Sequence, residues 1–196
     1  MSKNSHTCVL LAESLKCFCK KRSLSAITVS DLIKDCGINR STFYYHFADK
    51  YDLINWIFKN DVESKFHSPD RSSWQGNTLR LLQTFSRDRD FYIQALNISG
   101  ANNLKQYLFD AKFRCFSNLI NTCLGPDGIM PDTRDFIASF YAHAFTEMHY
   151  QHLIQGMKES PEHLLKYYVY IIEPGLFNTL DNCATKNRLY AADHAV

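Results

Sequence analysis

Glycine and proline are scarce in these 196 residues, seven and five respectively. So few tight-turn residues argue against β-sandwiches and barrels. No apolar run approaches the roughly 18 residues of a membrane-spanning helix. The opening Met1-Ser2-Lys3-Asn4-Ser5-His6 leads only into Cys8-Val9-Leu10-Leu11-Ala12 before Glu13, too short and too soon charged for a secretory signal. A soluble cytoplasmic protein without membrane contact is expected. The sequence also lacks a glycine-rich phosphate loop, a nucleophile elbow and a Cys-x-x-Cys pair. No cofactor and no enzymatic activity are therefore expected. The seven cysteines are odd in number and lie in apolar stretches, which reads as reduced, buried thiols.

Apolar residues make up 45% of the chain, enough for a sizeable core. Net charge is only +2, but it is unevenly placed. Residues 1–66 carry ten Lys/Arg against seven Asp/Glu, and the remainder twelve against thirteen. The basic first third is a modest pointer towards phosphate. The periodicity is helical almost throughout, and no strand pattern stands out. Val9, Leu10, Ala12, Leu15 and Cys19 outline a first helix that ends in Lys20-Lys21-Arg22. The polar stretch 67–73, with Pro69, marks a boundary. Beyond it the spacing predicts helices near 75–86, 89–98, 101–124, 132–157 and 161–180. Ser160-Pro161-Glu162 is a helix start, and Pro174-Gly175 should interrupt the last helix. The fold class read from this is all-α: a small N-terminal unit over 1–66 and a helical C-terminal domain over 67–196.

The informative segment is Thr28 to Lys50, TVSDLIKDCGINRSTFYYHFADK. Thr28 and Asp31 form a capping-box-like start for one helix, and Gly37 sits where a left-handed residue ends it. Asn39 can cap a short second helix, Arg40 to about Phe47, and Asp49 can cap the next. Phe43 and Phe47, four apart, face inward. Arg40, Ser41, Thr42, Tyr44, Tyr45 and His46 are left around the outside. A short capped helix with such a face fits the major groove, and its hydroxyls, phenols, imidazole and guanidinium suit phosphate and base-edge contacts. Lys50, in the first turn of a helix, opposes the helix dipole. A phosphate shared by the ammonium and the helix N-terminus accounts for it.

The segment resembles the DNA-binding domain of the TetR family of transcription regulators. Gly37, Thr42, Phe43, Tyr44, Tyr45, His46, Phe47 and Lys50 stand in register with that family's glycine turn, aromatic recognition helix and following lysine. The resemblance covers about residues 6–60. It implies a three-helix helix-turn-helix domain with Arg40 and Tyr44 near base edges. It implies that Thr28, Thr42, Tyr45, His46 and Lys50 hold phosphates. Two positions depart: Ser30 stands where a basic residue is common, and Ile33 where alanine is. Residues 56–61 and 156–161 resemble the branch that includes the activator of the dihydroxyacetone kinase operon. The resemblance further implies double-stranded operator DNA of pseudo-palindromic sequence as partner. It also implies a C-terminal domain for dimerisation and for a small-molecule effector or protein co-regulator. The competing class is a helical protein-interaction module on the same fold without specific DNA binding.

The last two long helices carry broad apolar stripes, wider than one packing neighbour needs. A homodimer interface at Phe145, Met148, Leu165, Tyr168 and Ile172 is expected from them, and the resemblance implies the same arrangement. Aromatic residues Phe85, Phe91, Tyr92, Tyr107, Phe113, Phe116, Phe140, Tyr141 and Phe145 are candidates for cavity walls, with plain core packing the equal alternative. His143, Glu147, His149 and His152 suggest a metal cluster. However, at about 100° per residue His143 and Glu147 share one helix face while His149 and His152 lie nearly opposite, so no metal site is expected. Cys17 and Cys19 diverge on their helix and make a poor chelate.

Overall fold

The computed structural model describes residues 3–62, 70–98, 104–125 and 127–193. Among the described residues the α-helices are, in order, α1 Lys3–Cys19, α2 Val29–Asp35, α3 Arg40–His46, α4 Lys50–Asp61, α5 Trp74–Arg87, α6 Arg89–Leu96, α7 Leu104–Leu124, α8 Pro131–Ile154, α9 Pro161–Ile171 and α10 Asn178–Asp193. A 3-10 turn, Leu24–Ala26, precedes α2, and a π-type segment, Ile172–Phe177, joins α9 to α10. The fold is all-α, with no strand among the described residues. No helix among them is long and apolar enough to cross a membrane.

Two compact units divide the chain: residues 1–65, 84–108 and 150–157 form the first, and 66–83, 109–149 and 158–196 the second. In the first unit, Leu11, Leu15, Leu24, Ile27, Leu32, Phe43, Leu53 and Ile57 are all at most 2% exposed. Residues 84–108 contribute Phe85, Phe91, Tyr92 and Ala95 to the same unit, with the Phe85 and Tyr92 rings 4.7 Å apart. Ser14 in α1 donates to Asp35 at the end of α2 at 2.6 Å.

The first unit also buries charge. Lys16, in α1, places Nζ 2.5 Å from Asp61 and 2.9 Å from Asp88. Arg87 reaches the same two carboxylates at 3.8 and 2.8 Å. Burial pushes Asp88 up, but the hydrogen bonds from Arg87 and Lys16 outweigh it and hold the carboxyl below its ordinary range. Burial likewise works against the Lys16 charge, and its bonds to Asp61 and Asp88 outweigh that, so the ammonium is held above its ordinary value.

The second unit packs α8 and α9 around Phe145 and Tyr168, whose rings are 4.7 Å apart. Phe116 meets both Phe145 and Tyr141 at 5.5 Å. His149 is buried, donates through Nδ1 to the Phe145 carbonyl and stacks on Tyr168 at 5.1 Å. Ser160 accepts from the His163 amide and Pro161 opens α9, as its sequence leads one to expect. The expected interruption at Pro174-Gly175 is the π-type segment: proline has no N–H to continue the helical ladder, and the widened turn absorbs the loss.

Removal of the Lys16 charge leaves buried carboxylates short of a partner. We expect Lys16→Met to lower stability in urea unfolding by about 3 kcal/mol. Asp88 titrates lower when folded, so its contribution is complete above its ordinary value of 3.8 and is lost as pH falls through the depressed folded value. An acid-unfolding midpoint unchanged by Asp88→Asn would count against this.

Candidate nucleic-acid interface

The interface is built by caps. Thr28 Oγ1 accepts from the Asp31 amide at 3.2 Å, and Asp31 Oδ2 accepts from the Thr28 amide at 2.8 Å, so the capping box closes with aspartate. The Asp31 carboxyl also accepts from the Thr28 hydroxyl at 2.9 Å and pairs with Arg22 at 3.2 Å. The Thr28 amide, its hydroxyl and the nearby Arg22 hold the acid below its usual range. Gly37 adopts φ +64°, the left-handed geometry that ends α2 without steric cost. Asn39 then caps α3: its Oδ1 accepts from the Thr42 amide and from the hydroxyls of Ser41 and Thr42, each at 2.7 Å. Asp49 caps α4, accepting from the Tyr51 and Asp52 amides at 2.7 and 2.8 Å.

α3 splits into two faces. Phe43 and Phe47 are 0% and 3% exposed, 5.9 Å apart, with Phe47 against Trp56 at 6.0 Å. Tyr44 and Tyr45 are 45% and 73% exposed. Arg40 and Ser41 are exposed, and Thr42 and His46 half-buried. Arg40 Nη2 donates to the Tyr44 hydroxyl at 3.3 Å and its guanidinium lies 5.4 Å from that ring, so the two share one edge of the helix. The exposed side thus offers a guanidinium, two phenols and an imidazole able to donate to phosphates and to base edges, while in this structure the Ser41 and Thr42 hydroxyls give their hydrogens to Asn39.

Lys50 is placed differently from a free surface cation. It is half-buried, and Nζ donates to the Leu24 and Ile27 carbonyls at 2.6 and 2.7 Å. The ammonium opposes the α4 dipole, and two carbonyls of the turn before α2 compensate it; one N–H is left for another acceptor. Burial lowers its pKa. Sequence reasoning also missed Gln94, in α6, whose side chain bonds to Cys19 and Leu24. The sequence does not point to the partners of either side chain, since these lie 23 to 75 residues away.

Three of the five residues expected at a dimer interface are covered by their own chain: Phe145, Tyr168 and Ile172 are 4%, 0% and 1% exposed. Met148 and Leu165 are half-buried. The apolar stripe expected to meet a partner is the one that fills the second unit's core. The large apolar residues left outside on α8 and α9 are Phe136, Phe140, Ile154, Tyr167, Tyr170 and Ile171, between 40% and 73% exposed. Phe136, Ser139, Phe140, His143 and Ala144 line an open apolar depression of about 350 Å³. Of the candidate cavity aromatics, Phe85, Phe91 and Tyr92 are core of the first unit, and Tyr107 meets Phe58 there at 5.7 Å. In the second unit, Phe113 lies 6.2 Å from Phe109. His143 is exposed with its ring 4.2 Å from Phe109, while His149 is buried against Tyr168.

Residues 10–57 match bacterial regulatory proteins of the tetR family, and residues 72–174 match a transcriptional regulator C-terminal region. The HTH-type dhaKLM operon transcriptional activator DhaS of Lactococcus lactis subsp. lactis (strain IL1403) is 31% identical over 93 residues, 47% of this chain and 50% of that protein. The uncharacterized HTH-type transcriptional regulator YxbF of Bacillus subtilis (strain 168) is 26% identical over 144 residues, 70% of this chain and 33% of that protein. The chain spans half or less of the length of these curated relatives. A solved structure of the dihydroxyacetone kinase operon activator DhaS shares the fold, with TM-score 0.67 and 23% identity over 86% of this chain and 94% of that one. These families and relatives are regulators, not enzymes.

The Asn39 cap is the cheapest test of how α3 is held. Asn39→Ala should cost about 1 kcal/mol in urea unfolding, and Asn39→Asp much less, since aspartate caps equally well. Equal losses in the two variants would show that the cap oxygen is not what matters.

Proposed function

We propose that this chain, which belongs to the TetR family of bacterial regulatory proteins, is a sequence-specific DNA-binding transcription regulator that acts as a cytoplasmic homodimer on a pseudo-palindromic operator. The observation that carries this reading is the two-faced α3: Phe43 and Phe47 anchor it while Arg40, Tyr44 and Tyr45 stand exposed. Arg40 and Tyr44, joined to each other on one edge, are assigned to base edges. Thr28, Ser41, Thr42, Tyr45 and His46 are assigned to phosphates, with Lys50 lending its remaining N–H and its charge. The DNA-binding role falls to residues 1–66, and signal reception and dimerisation to 67–196. A small-molecule effector or a protein co-regulator bound there is proposed to change the spacing of two recognition helices. The likeness to DhaS supports a place in the branch of that operon activator.

One recognition helix of seven residues offers little surface. Two of them about 34–36 Å apart read successive major grooves. The exposed Phe136 and Phe140 on α8 and Tyr170 and Ile171 on α9 supply apolar surface that a second copy would cover.

Tyr44→Ala and Arg40→Ala should each weaken binding to the native promoter by about 1–3 kcal/mol while leaving random DNA nearly unaffected. The check is a salt titration on both DNAs: specific binding must fall steeply with salt through counterion release. A protein that binds its promoter at no salt concentration is an interaction module instead. For assembly, sedimentation equilibrium should give a dimer at tens of micromolar. Phe140→Glu and Ile171→Glu change surface positions only, so each should give folded monomers with weakened operator binding. A folded wild-type monomer at that concentration defeats the dimer.

A further inference from the structure

We propose that Gln94 is a positioning residue for operator recognition: from α6, its amide fixes the turn between α1 and α2 and so sets the register in which α2 and α3 meet DNA. The inference rests on the DNA-binding reading of α3 and adds to it a residue far along the chain from the recognition helix.

The geometry is that of a clamp. Gln94 Oε1 accepts from the Leu24 amide at 2.6 Å, and Nε2 donates to the Cys19 carbonyl at 2.9 Å. The second Nε2 hydrogen goes to the Asp90 carbonyl at 3.0 Å, one turn back in α6. The amide is therefore used on both ends and pinned to its own helix. Its orientation follows from its partners, because a reversed amide would set NH₂ against the Leu24 N–H and oxygen against the Cys19 carbonyl. From the other side, Lys50 Nζ takes the Leu24 and Ile27 carbonyls. The Leu24 peptide groups are thus held by two helices at once, N–H by α6 and C=O by α4, while the Leu24 side chain is 2% exposed.

This segment has little of its own to fix it. Cys19 ends α1 and Thr28 caps α2. Among the described residues, the backbone bonds that start and end between Ser23 and Ile27 are Ala26 N to the Ser23 carbonyl, 3.0 Å, and Ile27 N to the Leu24 carbonyl, 3.3 Å. Those bonds close one turn of 3-10 helix and do not orient it against α1. The orientation comes from the buried Leu24 and Ile27 side chains together with the bonds from Gln94 and Lys50. Six residues earlier, at the start of α6, Asp88 pairs with Lys16 of α1 at 2.9 Å, so α6 is fastened to the end of α1 at two points.

Base-edge hydrogen bonds keep to a distance range about 0.5 Å wide and to a narrow angle, whereas attraction to phosphates makes no such directional demand. Loosening the turn should therefore damage specific binding far more than non-specific binding. Gln94 is only half-buried, so water can reach the groups it leaves and the fold should survive.

The test uses the full-length chain. Gln94→Met keeps the shape and removes three hydrogen bonds. We expect it to bind the native promoter about tenfold more weakly, the scale of one to two hydrogen bonds. Affinity for random DNA, its salt slope and the sedimentation behaviour should match wild type, and the Leu24 amide should exchange faster with deuterium. Gln94→Leu removes the same three bonds with a branched apolar side chain and should behave like Gln94→Met. If Gln94→Met does not fold, the same comparison on Gln94→Leu decides: an operator-selective loss with a faster-exchanging Leu24 amide supports the clamp. Losses equal on promoter and random DNA, or promoter binding at the wild-type level, overturn it. A wild-type chain that binds no promoter DNA instead overturns the regulator reading, an outcome visible before any variant is made.

Discussion

A helix of seven residues cannot stand alone in water, and α3 is such a helix. Nucleation costs more than its few backbone bonds return. Whatever it does, it must be held in place from outside its own length. Phe43, with no exposed surface, supplies roughly 1.5–3 kcal/mol of burial. The Asn39 oxygen satisfies an amide and two hydroxyls at its start, and Gly37 releases the chain from α2 at the right angle. Having spent its aromatic interior on the core, the helix is free to be polar everywhere else. That division, forced by shortness, produces the exposed edge of Arg40, Tyr44 and Tyr45.

The same need for external support explains why charge is buried behind the helix. Ion pairs inside a protein are seldom net stabilising, because desolvation offsets attraction. What Lys16 does well is fix direction: one ammonium meets carboxylates at the end of α4 and just before α6, so three elements share one register. Apolar contacts alone tolerate sliding of one helix past another; a short bond between opposite charges does not. Such stiffness fixes the angles at which α1, α4 and α6 meet.

The local features were legible because they obey local rules. The caps at Thr28, Asn39, Asp49 and Ser160, the turn at Gly37 and the inward pair Phe43 and Phe47 all depend on neighbours within about one turn. Tertiary partners were not legible. Lys50 announces itself as misplaced in its own helix, yet the carbonyls that justify it lie near residue 25, and Gln94 looks like any glutamine on an amphipathic helix. On α8 the difficulty was different. Phe136 and Phe140 are as apolar as Phe145, so periodicity offers two faces and does not say which one the chain keeps. Burial chose Phe145, with Tyr168 and Ile172, for the interior.

The first unit is discontinuous: it takes in residues 84–108 and 150–157 along with the first 65. Tyr150 donates to Asn97 at 2.6 Å and Arg89 to the Gly156 carbonyl at 3.0 Å, so its late pieces are bonded to one another. During synthesis the recognition helix leaves the ribosome long before these pieces exist. Phe85, Phe91 and Tyr92, which share its interior, arrive later still than α4. The nascent N-terminus must therefore wait, incompletely packed and with apolar surface open to chaperones, until more than half the chain has been made. A gene fragment that stops after α4 would encode the recognition helix without the interior that steadies its neighbours. For the same reason, recombination that exchanges heads between such proteins would have to carry α6 along.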